Sequence, residues 1–407
     1  MYISVRDPST PTRRLAGRVP GTVVVLGVVS LLTDISTEMV TAVLPLFVTV
    51  GLGLSPLAFG VLDSFFQAGT AAARIAGGYT ADRLARPKAV AVAGYGLGMM
   101  AKVLLLPATG IGALSAAIGV DRVGKGLRTG PRDALIAATS PPDLLGRSFG
   151  VHRALDTLGA LLGPVVAFSL LMLAPGDFDM VFFVSMCVAG LGVLLLVNRV
   201  SEPAPAVRAH AGPRIALRSL FARAGFRRVL IAAGALSLLT VSDAFLYLSL
   251  LERSMVDNSV FPLLFLATSL VYLATAIPIG RLSDRYGRTP VFLAGHLGII
   301  LAYLVIGLGT SGGGAVLAVV LLGLYYAATD GVLPAATAAL VPAQWRSTAI
   351  STVQTATALG RSAAALTFGA LWVTIGPVPA LSLFAVGLAV VVLSVAPTLL
   401  RNRKEKP

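Results

Sequence analysis

Polar and apolar positions in this chain are arranged in long blocks rather than alternating residue by residue. Twelve predominantly apolar segments lie at 21–50, 56–79, 89–107, 111–138, 146–173, 178–198, 229–252, 260–282, 290–309, 314–340, 347–374 and 378–399. About twenty such residues in a helix cross the hydrocarbon of a bilayer. The pattern therefore predicts an all-α membrane protein with twelve transmembrane helices, and an even number of spans puts both termini on one side. Charge selects that side. One set of connections holds Arg83, Arg86, Lys88, Arg147, the arginines of 199–228, Arg285, Arg288 and Arg346, and both basic ends fall with it. The opposite set holds one basic residue, Arg253, beside Asp177, Asp179 and Asp257. Lys and Arg accumulate on the cytoplasmic side of membrane proteins, so both termini and the central linker are expected there.

The segment 199–228, rich in Pro, Ala and Arg, is the one long polar interruption. It divides the chain into an N-terminal six-helix half (1–198), a cytoplasmic linker (199–228) and a C-terminal six-helix half (229–407). The halves echo one another. "GVVSLLT" at 27–33 returns as "GALSLLT" at 234–240, "GGYTADRLARPK" at 77–88 as "IGRLSDRYGRTP" at 279–290, and "RS" at 147–148 at 346–347. The offsets of 207, 202 and 199 are nearly constant, as duplication predicts. Two such halves meeting at a midplane cavity are a recurrent plan of secondary transporters.

Composition narrows the classes. Of 407 residues 56% are hydrophobic and 12% charged, about half the charged fraction of a soluble protein. The net charge of +14 is spread over short clusters between the spans, which leaves few cations for phosphate contacts and argues against nucleic acid. The single cysteine, Cys187, permits no intrachain disulfide, and the three histidines lack metal-ligand spacing. No metal and no cofactor are predicted. The basic N-terminus followed by an apolar run without a small-residue cleavage site reads as an uncleaved first span. No nucleophile–base constellation is present, so enzymatic chemistry is not expected.

Two loops carry a family resemblance. "GRLSDRYGR" at 280–288 resembles the signature loop of the major facilitator superfamily, with Gly280, Asp284, Arg285, Gly287 and Arg288 in place. The first-half copy "GYTADRLAR" at 78–86 keeps Gly78, Asp82, Arg83 and Arg86 but has Thr80 for Leu and Ala85 for Gly. The resemblance runs from about residue 20 to 400 and implies the major facilitator fold of two pseudo-symmetric six-helix halves. It also implies a cytoplasmic gate of ion pairs at these loops, with Asp133 as a further member. "LGALLGPVV" at 158–166 resembles the G-x-x-x-G-P element of the family's antiporters, whose counterparts here are Gly159, Gly163 and Pro164. Glycines at this spacing allow close helix packing.

The stretch "DRVGKGLRTGPRD" at 121–133 places six charges inside the fourth span. Its G-x-x-x-x-G-K pattern ends in Gly126 where a phosphate-binding loop needs Ser or Thr, and no strand precedes it. On a helix, Asp121, Lys125, Arg128 and Arg132 form one stripe. Lipid exposure of such charges costs several kcal/mol each, so they are expected to face a wet cavity or partners. "RVGKG" resembles the family's span-four R-x-x-x-G element, which implies a proton-coupling role for Arg122. Asp34 and Glu38, one turn apart in the first span, are the expected opposing carboxylates. A buried carboxylate that gains and loses an arginine partner can load and release a proton. The family plan lines the cavity with Lys125, Arg128, Asp243, Tyr247, Tyr325, Tyr326 and Asp330, and Gln354 and Arg361 join from span eleven. His152 and Asp156 lie nearer the cytoplasmic end, and Lys102 is expected to snorkel or pair.

These features predict a monomeric, proton-coupled transporter of a bacterial inner (plasma) membrane, working by alternating access. Its partners are protons, the lipid bilayer and a small-molecule substrate. The first reading is an exporter (antiporter) of drugs or small metabolites. The second is an importer of a small organic anion or phosphorylated metabolite, and the third a nontransporting scaffold or lipid flippase.

Overall fold

The computed structural model describes residues 19–83, 87–141, 144–201, 220–309, 311–342 and 345–400, with side chains except at 70–83 and 347. The helices in chain order are α1 (Gly21–Leu46), α2 (Pro56–Arg83), α3 (Pro87–Leu105), α4 (Ile111–Thr139), α5 (Leu145–Leu173), α6 (Phe178–Arg199), α7 (Ala224–Ser237), α8 (Asp243–Glu252), α9 (Phe261–Tyr286), α10 (Arg288–Leu308), α11 (Gly312–Thr329), α12 (Val332–Ala338), α13 (Arg346–Ile375) and α14 (Pro377–Leu400). Each apolar block of the sequence is thus helical. In hydrocarbon, helices alone among open structures satisfy every backbone polar group within the segment. Among the described residues nine helices are long and apolar enough to cross a membrane. Large apolar side chains such as Leu173, Leu308 and Leu393 are 80%, 78% and 73% exposed on the outer surface, which suits a lipid environment.

Three expected spans fall outside those nine, for two reasons. Helices α2 and α4 carry too many polar residues. The block 229–252 is not one helix but two, α7 and α8, broken at 238–242. Ser237 Oγ donates to Ala233 O at 2.7 Å and Thr240 Oγ1 to Leu236 O at 2.9 Å, so hydroxyls here bond carbonyls of the preceding turn, which bends helices. Tyr303 of α10 spans the break: its hydroxyl accepts from Val241 N at 2.8 Å and donates to Leu239 O at 3.2 Å. The expected span 314–340 is likewise divided, into α11 and α12.

Helices α1 to α6 pack among themselves, chiefly α1 on α5 and α6 and α3 on α4 and α6. Helices α7 to α14 do the same, with α10 on α11 and α14 and α7 on α13. The main packings between the two groups are α2 on α13 and α5 on α9. The largest apolar cluster draws from both groups. Its members from the first group lie at the end remote from residue 19, among them Val43, Phe47, Phe59, Leu114 and Phe182. Toward the opposite end two smaller clusters stand apart from it, one of Val23, Leu26, Tyr95, Leu135 and Leu196, the other of Phe226, Ala233, Ala349 and Val353.

The remote end is sealed between α2, α8 and α13. Phe59 meets Phe245 edge-on at 5.0 Å, and Phe245 meets Phe368 at 5.1 Å. Ser64 and Ser362 bring their hydroxyls to 2.6 Å, and Ser362 donates to Ser64 O at 3.1 Å. A Cβ at Gly60 would stand 2.7 Å from Ala365 O, so this crossing requires a residue without one.

Candidate functional site

Helix α4 turns its charges inward. Asp121, Arg122 and Arg128 are 9%, 3% and 4% exposed, while Val123 on the other face is 55% exposed. The inward placement follows from a close α3–α4 crossing. A Cβ at Gly94 would lie 2.7 Å from Arg128 N, and one at Gly124 2.7 Å from Gly94 O. The crossing brings Lys102 of α3, 3% exposed, to 2.5 Å from Asp121 Oδ1. Asp121 Oδ2 accepts from Arg122 Nη2. Arg122 also lies over the Phe66 ring at 3.9 Å, and Arg128 over Tyr95 at 4.9 Å. Lys102 therefore pairs rather than snorkels. Arg122, expected to oppose Asp34 or Glu38, has Asp121 as its ion-pair partner and acts on Glu38 from farther away.

The α1 carboxylates are positioned by α5. A Cβ at Gly159 would collide with Leu31 O, and one at Gly163 would stand 2.6 Å from Glu38 Cβ. The glycine pair thus seats α5 directly on the face of α1 that carries Asp34 and Glu38. As a result Asp34 and Asp156 hold their carboxyl groups in hydrogen-bonding contact. Asp156 also accepts from Ser30 Oγ at 2.7 Å and Arg153 Nη1 at 3.0 Å, and Arg132 Nη1 lies 3.9 Å away. The cations acting on Asp34 are Arg128 and Lys125. Those acting on Glu38 are Lys125, Arg122 and Lys102. Asp156, which the sequence puts nearer the cytoplasmic end, is the direct partner of Asp34. His152, 4% exposed on the preceding turn of α5, lies among Arg132, Asp156, Asp133 and Arg153.

The second polar site surrounds the α7–α8 break. Asp243, the first residue of α8, accepts a hydrogen bond from the Tyr326 hydroxyl through Oδ1. Arg361 Nη2 donates to Tyr325 Oη at 3.2 Å and its guanidinium lies 5.9 Å from the Tyr326 ring centre. Tyr325 meets His296 at 5.4 Å, ring to ring. A cavity of about 180 Å³ opens here, walled by Gln67, His296, Tyr325, Asp330, Gln354 and Arg361 among others. Four of the expected cavity residues, Tyr325, Asp330, Gln354 and Arg361, thus line one space. Asp243 and Tyr326 adjoin it through Tyr325 and Arg361. Lys125 and Arg128 belong to the other polar cluster. Tyr247, expected in the cavity, is a core residue instead: it is 1% exposed, shares a 2.6 Å hydrogen bond with Thr268 and stacks edge-on against Phe265.

Three residues of this region escaped the sequence reading. Asp63, 9% exposed in α2, accepts from Gln67 Nε2 at 3.5 Å, and His296 stands on the cavity wall. "LDSFFQAG" does show the signal for the first two, a carboxylate and an amide at i, i+4 in an apolar span.

At the loop motifs the described structure covers the second copy. Gly287 has φ +97°, a left-handed conformation that favours glycine, and it turns α9 into α10. Arg288 Nη1 donates to Ala335 O at 2.8 Å, which ties the loop to α12, while Asp284 and Arg285 are exposed after the turn containing Gly280. In the first copy Arg86 lies outside the described residues, and Gly78, Asp82 and Arg83 are described as helix backbone alone. Asp133 is bonded by Arg132, at 3.0 and 2.9 Å. Pro164 lies within α5. Among the described residues no cluster of three or more His, Cys, Asp and Glu side chains is placed to hold a metal ion.

Comparison with known proteins agrees with this architecture. An uncharacterized MFS-type transporter of Methanocaldococcus jannaschii is 28% identical over 360 residues, 86% of this chain and 88% of the relative. An uncharacterized protein of Mycobacterium tuberculosis is 28% identical over 292 residues, 69% of each chain. In fold, the nucleoside transporter NupG superposes with a TM-score of 0.75 at 15% identity, covering 95% of this chain and all of that one. A POT family transporter crystallised with a thioalcohol-conjugated peptide superposes at 0.75 and 16% identity, covering 93% and 96%. The family profile of the Major Facilitator Superfamily matches residues 26–257 and 245–407. The chain therefore belongs to the major facilitator superfamily, as a secondary transporter and not an enzyme.

Proposed function

We propose that this protein is a proton-coupled transporter that exports a small solute by alternating access between two six-span halves, with both termini in the cytoplasm. The observation that carries the reading is the contact between Asp34 and Asp156 in a bundle closed at the end remote from residue 19. Two carboxylates in such contact favour sharing one proton, since two bare negative charges repel. A proton bound there stabilises the conformation closed at the remote end. Its release frees Asp34 to answer Lys125 or Arg128 and lets the halves rock toward the opposite opening. Glu38, seated against Gly163 one turn along α1, serves as the second acceptor.

Export is supported by the α5 element Gly159, Gly163 and Pro164, the counterpart of the antiporter motif, which packs against these carboxylates. A proton entering from outside would drive the protein to the cytoplasm-facing state, where cargo loads. Arg128 and Lys125 hold the unprotonated carboxylate, and Arg122 with Lys102 fixes Asp121 as a static anchor.

The test uses everted membrane vesicles with a respiration-driven, acid-inside pH gradient and a panel of small metabolites and lipophilic drugs. An exported substrate dissipates the gradient in vesicles containing the wild type, and the response is absent with Asp34→Asn/Glu38→Gln. Substrate-dependent proton efflux that survives in the double variant would overturn the reading.

A further inference from the structure

Arg361 is a half-buried residue whose guanidinium has few hydrogen-bond partners. Its Nη2 donates to the neutral Tyr325 hydroxyl at 3.2 Å. Its Nε is buried without an acceptor. Among the described residues no carboxylate lies within 4.0 Å of it. Asp63, Asp243 and Asp330 act on it electrostatically from beyond ion-pair distance, while Asp243 accepts from Tyr326 and Asp63 from Gln67. A planar guanidinium with a spare N–H is the side chain best shaped to take a carboxylate or phosphate through two parallel hydrogen bonds. The cavity in front of it supplies the space.

From this we infer that the cavity binds the anionic group of a small organic cargo, with Arg361 as its anchor. The inference rests on the proposal that the bundle carries a small solute, and it names that solute's class. The volume of about 180 Å³ is below the roughly 300–1,000 Å³ of sites for drug-sized molecules. It suits a compact carboxylate or phosphate ester. The wall also includes Tyr325, Phe292, Gln67 and Gln354. Gln67 is the contribution of α2, so the cargo touches both helix groups. Arg361 also precedes Ser362, which bonds Ser64 across the sealed end; cargo on the guanidinium therefore sits beside the contact that must part when the remote end opens. The anion site lies on α13 and the proton site on α1 and α5, so exchange of the two does not require competition for one residue.

The experiment measures equilibrium binding to the purified full-length protein by thermal stabilisation. The probes are three near-isosteric molecules, benzoate, benzamide and benzylammonium, with inorganic phosphate and sulfate alongside. The expected result is stabilisation by benzoate and by the inorganic anions, with none from benzamide or benzylammonium. Arg361→Gln is expected to weaken benzoate binding about thirtyfold or more, and Arg361→Lys, which keeps the charge but loses the fork, to weaken it less. Equal stabilisation by the neutral or cationic probe, no stabilisation by any anion, or benzoate binding unchanged in Arg361→Gln would each overturn the inference. The comparison of the three probes in the wild type decides the matter even if a variant fails to fold. Binding is read without a pH gradient, so its failure leaves proton-driven transport standing, and failure of proton-driven transport leaves anion binding standing.

Discussion

Asp34 of α1 and Asp156 of α5 face each other carboxyl to carboxyl, held there because Gly159 and Gly163 let the two helices touch. Asp156 is anchored by Ser30 and Arg153, whereas Asp34 has Arg128 and Lys125 as its alternative company. The anchored member holds the site and the other is free to change partners. Asp34→Asn keeps a hydrogen bond to Asp156 through its amide while removing the exchangeable proton. In proteoliposomes it is expected to abolish accumulation driven by a pH gradient and to retain exchange of internal for external substrate. Loss of both, in a protein that remains folded, would place Asp34 in cargo binding instead.

The α1–α5 contact makes a steric prediction. Gly163→Ala puts a methyl group 2.6 Å from Glu38 Cβ, and the backbone on both sides is helical. Overpacking of this kind costs about 1–3 kcal/mol, and a lower apparent Tm in detergent is expected. Gly280→Ala, where a Cβ meets nothing within 4 Å, is expected to leave Tm nearly unchanged and serves as the control.

The buried triad predicts unequal effects from its members. Asp121→Asn leaves Lys102 and Arg122 as two uncompensated buried cations, a loss of about 3–5 kcal/mol. Lys102→Met leaves one carboxylate with one arginine and a side chain of similar length, so the loss is expected to be much smaller. Thermal unfolding of the two variants, compared side by side, checks the order.

Tyr303 predicts a stability effect far from any charge. Tyr303→Phe removes both hydrogen bonds that bridge the α7–α8 break and leaves Val241 N and Leu239 O without them. The expected cost is about 1–3 kcal/mol. Faster amide hydrogen exchange confined to 238–242 would identify the break as the part that loosens.

Much of this architecture was legible in the sequence because a bilayer enforces it. Apolar blocks of sufficient length had to be helices, and the charges of 121–133 had to face inward, as Arg122 and Arg128 do. What pattern alone did not reveal depended on distances between helices. Arg122 was matched with the α1 carboxylates, yet Asp121 lies beside it, and Lys102 reaches Asp121 only through a glycine crossing at Gly94 and Gly124. The break in 229–252 depends on Tyr303, sixty residues downstream, and no periodicity within the segment announces it. Tyr247 looks like a cavity residue by helix number, but its rotation places it against Thr268 and Phe265. Asp63 carries the same signal as Asp34, a carboxylate inside an apolar span, but in a helix whose sequence is dominated by its loop motif.

The most direct measurement is the distance between spin labels at Leu57→Cys and Val373→Cys, in a Cys187→Ser background and in lipid nanodiscs, from pH 5 to pH 9. Both sites are exposed, at 40% and 53%, on the remote ends of α2 and α13. Because the Asp34–Asp156 contact favours a shared proton and belongs to the state closed at that end, lowering pH is expected to raise the population of the short distance. Without cargo, Asp34→Asn is expected to favour the short distance and to remove its dependence on pH. A distance distribution that ignores pH, or one that still responds to pH in Asp34→Asn/Glu38→Gln, would contradict proton control of alternating access at these carboxylates.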